Sequence, residues 1–231
     1  MHNSIKERKL LMFLDTGNIL EIARNIKLGI FEGVTTNPTL LLKEKEERFQ
    51  QINKILEQDI NLIFVQIVGD GKEQLKKDYE KIQKINTEKK IGIKVPINRD
   101  GLELIYDIKE QDPEQSILGT AIYSADQGIL ASLAGCDYIA PYVNRMSNNS
   151  LDPYRIISQI RTFIDDRGLT TKIMGASFKN SNQVIDTLMA GAHTVTIPPD
   201  IVEQMVHKEL ALSAIQVFHD HEKQLDQWIK R

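Results

Sequence analysis

"IGIKVPI", residues 91–97, alternates β-branched Ile91, Ile93 and Val95 with Gly92 and Lys94. That period of two is what a strand imposes, because successive side chains leave opposite faces of the pleat. The run is apolar enough to be buried on both sides, yet a lysine occupies its centre, and lysine is almost never fully buried without a partner. A sheet closed into a barrel resolves the conflict, since one face meets outer helices and the other lines the interior. Ile91, Ile93 and Val95 then pack outward, and Gly92 and Lys94 face inward.

Seven further runs read as strands: "LLMFLD" (10–15), "GVTTN" (33–37), "NLIFVQIV" (61–68), "SILGTAIY" (116–123), "DYIAPYV" (137–143), "TKIMGAS" (171–177) and "HTVTIP" (193–198). Helical patterns lie between them. Asn18 with Glu21 has the spacing of a capping box, Ile19, Ile22, Ala23 and Ile26 form an apolar face, and Gly29 stands where a helix ends in the left-handed conformation. Leu75, Tyr79, Ile82 and Ile85 repeat that face in residues 71–86. Ile157, Ile160 and Ile164 do so in 153–167, before Gly168. Strand and helix alternating to a count of eight predicts an α/β fold, the (β/α)8 TIM barrel. An open doubly wound sheet usually has fewer strands, and no G-x-G-x-x-G follows the first one here.

The remaining segments lie at the ends. Residues 1–9 read as a solvated leader. The basic start followed by "LLMFL" superficially resembles a secretion signal, but the apolar stretch is too short and stops at Asp15. Residues 209–231 carry Leu212, Ile215, Phe218, Leu225 and Trp228 after the eighth unit, which predicts an additional C-terminal helix packed outside the ring, against a neighbouring subunit. With no linker or low-complexity segment, residues 1–231 read as one domain.

Bulk properties narrow the function. The 231 residues are 41% apolar and 26% charged, ordinary for a globular protein. A net charge of -3 lacks the basic excess that nucleic-acid binding requires. No run approaches the roughly 20 apolar residues of a membrane helix, so a cytoplasmic location with no membrane partner is expected. Cys136 is the single cysteine, so no intrachain disulfide forms.

Barrel active sites gather at the C-terminal ends of the strands. Those ends carry Asp15, Thr36 and Asn37, Gln66, Lys94, Thr120 with Tyr123, Tyr142 with Asn144 and Arg145, Ser177 with Lys179, and Thr196. One polar strand end is ordinarily a turn or cap residue, but a ring of them around one lysine describes a pocket. An amine withdrawn from water loses stability in its charged form, and the neutral amine is a nucleophile toward carbonyl carbon. Arg145, Ser177 and Lys179, on the loops after the sixth and seventh strands, suit a phosphate, which this fold commonly binds on its late loops.

Together these residues resemble the transaldolase family, and within it the small subgroup that includes fructose-6-phosphate aldolase. The matching stretches are "FLDTGN", "GVTTNPTLL", "IKVPIN", "LGTAIYS", "QGILASLAGCDYIAPYVNR" and "GASFKN", running from residue 13 to about 198. The resemblance implies a cofactor-free class I aldol reaction on sugar phosphates with Lys94 as the Schiff-base lysine. Asp15 would exchange a proton with the substrate C4 hydroxyl, Asn37 beside Thr36 would hold the dihydroxyacetone part, and Thr120 would orient a water. Arg145, Ser177 and Lys179 would bind the phosphate. Family transaldolases usually have arginine at the last position, so Lys179 keeps the charge and loses the bidentate fork. Transaldolases also typically have glutamate in place of Gln66 and phenylalanine in place of Tyr142. Gln66 with Tyr142 is the aldolase-like combination, which implies reversible cleavage of fructose 6-phosphate to dihydroxyacetone and glyceraldehyde 3-phosphate. The alternative is transaldolase, transfer of the dihydroxyacetone unit between sugar phosphates through the same intermediate. A homo-oligomer, a pentamer or a decamer, is implied as well.

Other classes fit less well. Pyridoxal phosphate on the lysine needs a partner for its ring nitrogen, and no residue stands out as one. A non-catalytic sugar-phosphate binder needs no reactive Lys94. A metal site is not expected from five scattered histidines. His219 and His221 are two apart on a predicted helix and so point in different directions.

Overall fold

Eight parallel strands, joined through helices, close in sequence order into a barrel. The computed structural model describes residues 11–85, 87 and 90–229. The expected leader over 1–9, and Leu10 at the start of the first expected strand, lie outside the described residues. The chain runs through β1 (Met12–Asp15), α1 (Ile19–Asn25), β2 (Phe31–Thr35), α2 (Pro38–Lys43) and α3 (Arg48–Leu56). It continues through β3 (Leu62–Gln66), α4 (Lys72–Gln83), β4 (Lys90–Pro96), α5 (Arg99–Gln111), β5 (Ile117–Ile122) and α6 (Ala125–Leu133). The last part holds β6 (Tyr138–Pro141), α7 (Val143–Asn148), α8 (Pro153–Asp166), β7 (Lys172–Gly175), α9 (Ser181–Met189), β8 (Thr194–Ile197), α10 (Pro199–Val206) and α11 (Glu209–Ile229). All eight expected strands are present, and β1 closes on β8 through Phe13 opposite Thr196 and Leu14 opposite Ile197.

The alternation read around Lys94 holds throughout. Ile93 and Val95 join Leu14, Val34, Ile63, Val65, Ile117 and Ile139 in the layer between strands and helices. Phe13, Phe64, Leu118, Ala140 and Met174 form a separate cluster in the barrel interior. Phe13, Phe64 and Tyr138 meet at ring-centroid distances of 5.4 to 5.8 Å and fill the interior with edge contacts. Gly92 is required there: a Cβ on it would come within 2.3 Å of the Phe64 ring. The bare glycine lets Phe64 lie across β4, two residues before Lys94.

Helix starts follow local chemistry. Asn18, Asn37, Asn98, Asp152 and Asn180 each accept a backbone N–H of the first turn, and Pro38, Pro153 and Pro199 occupy positions where no amide is needed. The box expected at Asn18 forms only in half. Asn18 Oδ1 accepts from Glu21 N, while Asn18 N–H donates to Thr16 Oγ1 and leaves Glu21 to Asn25. Gly29, at φ 67°, ends a 3-10 turn over Ile26–Leu28 in the left-handed region, as its position predicted.

The C-terminal helix α11 carries its apolar residues into solvent. Phe218 is 67% and Trp228 73% exposed, and Leu210, Ile215 and Leu225 are exposed as well.

Candidate active site

Lys94 sits inside the barrel with 2% of its surface exposed, among the largest fully buried side chains of the protein. Its backbone register on β4 sets it opposite Gln66 on β3. Among the described residues no hydrogen bond or ion pair ties down its amine. A buried lysine normally persists by pairing, so an interior lysine without a bonded partner is poised for another use.

Asp15, at the end of β1, faces the same interior. Thr35 Oγ1 donates to Asp15 Oδ1 at 2.7 Å and meets Thr196 Oγ1 at 2.6 Å, so three strands contribute to one polar chain. Asp15 keeps some surface toward the mouth but is otherwise surrounded by protein. That burial pushes its carboxyl above the ordinary carboxylate range, although the pull of Lys94, the Thr35 hydrogen bond and Lys43 all act in the opposite direction. A carboxyl held this way can both take and return a proton nearer neutrality than a free aspartate.

Across the mouth, Thr120 Oγ1 and Tyr142 Oη are 2.8 Å apart. Two irregularities set this pair. Ala121, directly after Thr120, has φ 59°, and the β5–β6 register shifts between Gly119 and Ile122. Tyr142 makes one isolated bridge to Ala176 and then starts α7. A non-glycine residue in the left-handed region costs on the order of 1 kcal/mol and is held only where the surroundings dictate it. Tyr123 packs edge-on against Tyr142 at 5.6 Å.

The expected phosphate residues gather beside this wall. Arg145 lies within α7, where a loop was expected, because Val143 N–H and Asn144 N–H donate to the Ala176 and Ser177 carbonyls and turn the chain at once into a helix. Its guanidinium stacks 5.1 Å over the Tyr142 ring and Nη1 donates to Tyr123 Oη at 3.4 Å. Ser177, at φ 63°, is the second strained residue at this end. Lys179 is exposed, and its backbone N–H donates to Gln183 Oε1 at 2.8 Å. Gln183 Nε2 donates to Asn144 Oδ1 at 3.2 Å, so one side chain fastens the Ser177–Lys179 loop to the Arg145 helix.

Two expected residues have other commitments. Thr36 is fully buried and its hydroxyl donates to the Phe64 carbonyl at 3.2 Å; the threonine beside Asp15 is Thr35. Period two from Gly33 gives that phase, since Gly33 is inward and Val34 outward. Asn37 Oδ1 caps α2 through Leu40 N–H at 3.0 Å, which leaves its amide nitrogen for a ligand. Gln183 carried no sequence signal, because it is one of many polar residues on an outer helix.

A closed parallel barrel with a lysine buried among carboxyl and hydroxyl groups at the strand ends has the build of a barrel enzyme acting on carbonyl compounds. The family model described as Transaldolase/Fructose-6-phosphate aldolase matches residues 12–230, and the chain belongs to that family. Its activity is therefore of the class I aldolase and transaldolase type, on sugar phosphates. No helix among the described residues is long and apolar enough to cross a membrane.

Proposed function

We propose that this protein reversibly cleaves fructose 6-phosphate to dihydroxyacetone and glyceraldehyde 3-phosphate through a Schiff base on Lys94. The observation that carries the reading is a lysine 2% exposed in the barrel interior with no bonded partner among the described residues. The amine adds to the ketose carbonyl carbon, and loss of water leaves a protonated imine. Asp15 removes the C4 hydroxyl proton, the C3–C4 bond breaks, and its electron pair moves into the imine to form an enamine. Glyceraldehyde 3-phosphate departs, its phosphate held by Arg145, Ser177 and Lys179. The proton that Asp15 took passes through a water oriented by Tyr142, Thr120 and Gln66 to the enamine carbon, which leaves Asp15 ionised again, and a second water hydrolyses the imine, freeing dihydroxyacetone and Lys94. Asn37 holds the dihydroxyacetone hydroxyls through its free amide.

Release rather than transfer is supported by the Tyr142 hydroxyl, which stands 2.8 Å from Thr120 and offers a proton path that phenylalanine lacks. The test is incubation with fructose 6-phosphate alone, then with added erythrose 4-phosphate. Dihydroxyacetone formed without an acceptor supports cleavage. Sedoheptulose 7-phosphate formed only with the acceptor assigns the protein to transfer instead.

A further inference from the structure

Arg48 on α3 and Asp78 on α4 lie outside the barrel and have no part in the chemistry above. Arg48 Nη1 donates to Asp78 Oδ1 at 2.8 Å, and Nη2 donates to the backbone carbonyl of Gln66 at 2.8 Å. Asp78 Oδ2 accepts the backbone N–H of Val68 at 2.9 Å. The pair therefore grips the main chain on both sides of Ile67, where β3 runs out.

The register explains why those groups need partners. Thr35 on β2 lies opposite Phe64, and Thr36 N–H donates to the Phe64 carbonyl at 3.0 Å. One step further would set Asn37 opposite Gln66 and assign the Gln66 carbonyl to the amide of residue 38. That residue is Pro38, which has no N–H, and the chain has already turned into α2. Main-chain groups removed from water need a partner. Arg48 and Asp78 replace the missing strand on this edge, while on the other edge Ile67 N–H donates to the carbonyl of Lys94 at 3.0 Å.

The segment carrying Gln66 is thus held between the backbone of Lys94 and a largely buried ion pair whose side chains are 21% and 8% exposed. The Gln66 carboxamide itself makes no hydrogen bond to a described residue, so its aim toward the lysine depends on that backbone grip. We propose that Arg48 and Asp78 are positioning residues that hold Gln66 against the Lys94 adduct and so set the rate at which the adduct is turned over. The inference rests on the role given to Gln66 in the proposed reaction.

The experiment is a double-mutant cycle with Arg48→Met, Arg48→Lys and Gln66→Ala, singly and combined. Turnover of fructose 6-phosphate is followed with and without erythrose 4-phosphate, beside the thermal midpoint and the borohydride-trapped adduct. Arg48→Met is expected to lower kcat roughly ten- to hundredfold, the scale of a misplaced catalytic group, while adduct trapping persists and Arg48→Lys recovers part of the loss. In the Gln66→Ala background the same change is expected to alter kcat by less than about twofold, because the two substitutions remove one function. Losses that multiply, or an unchanged kcat in Arg48→Met, overturn the positioning role and leave that of Gln66 intact. An unchanged kcat in Gln66→Ala overturns both. If Arg48→Met does not fold, Asp78→Asn, which keeps the side-chain shape, goes through the same cycle with the same outcomes.

Discussion

At the scale of single residues the most informative group is Asp15, whose ionised form is costly in the folded state. Its native carboxyl titrates above the unfolded value, about 3.9, because burial outweighs Lys94, Thr35 and Lys43. The native protein therefore binds more protons than the unfolded chain in that interval, and stability falls as pH rises through the raised native value. Asp15→Asn is expected to be more stable than the parent near neutrality, with the advantage shrinking toward about pH 4, and to lose on the order of a hundredfold or more in carbon–carbon cleavage. Denaturation midpoints across that range check the sign; an advantage that does not change with pH contradicts it. Lys94 was legible in the sequence because a charged residue at the inward phase of a β-branched strand has few bland explanations. That Thr35 is the threonine beside Asp15 was harder to read. The strand ends at Thr35, two residues before the expected end at Asn37, and the pattern alone does not show where Asn37 begins to cap a helix.

Among the elements, β7 and β8 pair through Met174 opposite Thr194 and Gly175 opposite Val195, and one side chain extends the joint. His193 N–H donates to the Ile173 carbonyl, and His193 Nδ1 accepts Ile173 N–H, both at 2.9 Å. Burial, with Arg161 next in effect, holds the imidazole below its ordinary range despite the opposing Asp165. The unfolded chain therefore takes up the proton first, and the contribution of this contact is full above about pH 6.5 and declines as pH falls. His193→Ala leaves the Ile173 amide without its acceptor and is expected to cost about 1 to 3 kcal/mol near neutrality, less in acid. Urea unfolding at the two pH values checks it, and a cost independent of pH rules out the Nδ1 acceptor as its source. The eight strands were readable because each is a short β-branched or apolar run between caps. The short helix α7 was not, since its six residues begin directly at the end of β6 and are induced by carbonyls of β7's loop. The Arg48–Asp78 grip was equally hidden, because it joins residues 30 apart on two outer helices to a strand end.

For the whole molecule, α11 is the feature that the barrel does not explain. Its 21 residues carry Leu210, Ile215, Phe218, Leu225 and Trp228 in solvent, an apolar display that is uncommon on a protein that acts alone. The assembly proposed here is a homo-oligomer, a pentamer or decamer, in which α11 lies on a neighbouring copy. Light scattering is expected to return a multiple of 26.3 kDa, and truncation after Lys208 to return a smaller species; a full-length monomer removes the proposal. The surplus helix was legible from its apolar spacing alone, whereas what covers it was not, because the apolar pattern of one helix does not name the surface it packs on.

All of this turns on the lysine in the fourth strand. Treating the protein with fructose 6-phosphate and borohydride, then mapping the modified peptide, tests that claim most directly. The expected result is a single stable adduct on Lys94 that disappears in Lys94→Met while the variant remains folded. An adduct that persists in Lys94→Met, or maps to another lysine, contradicts it.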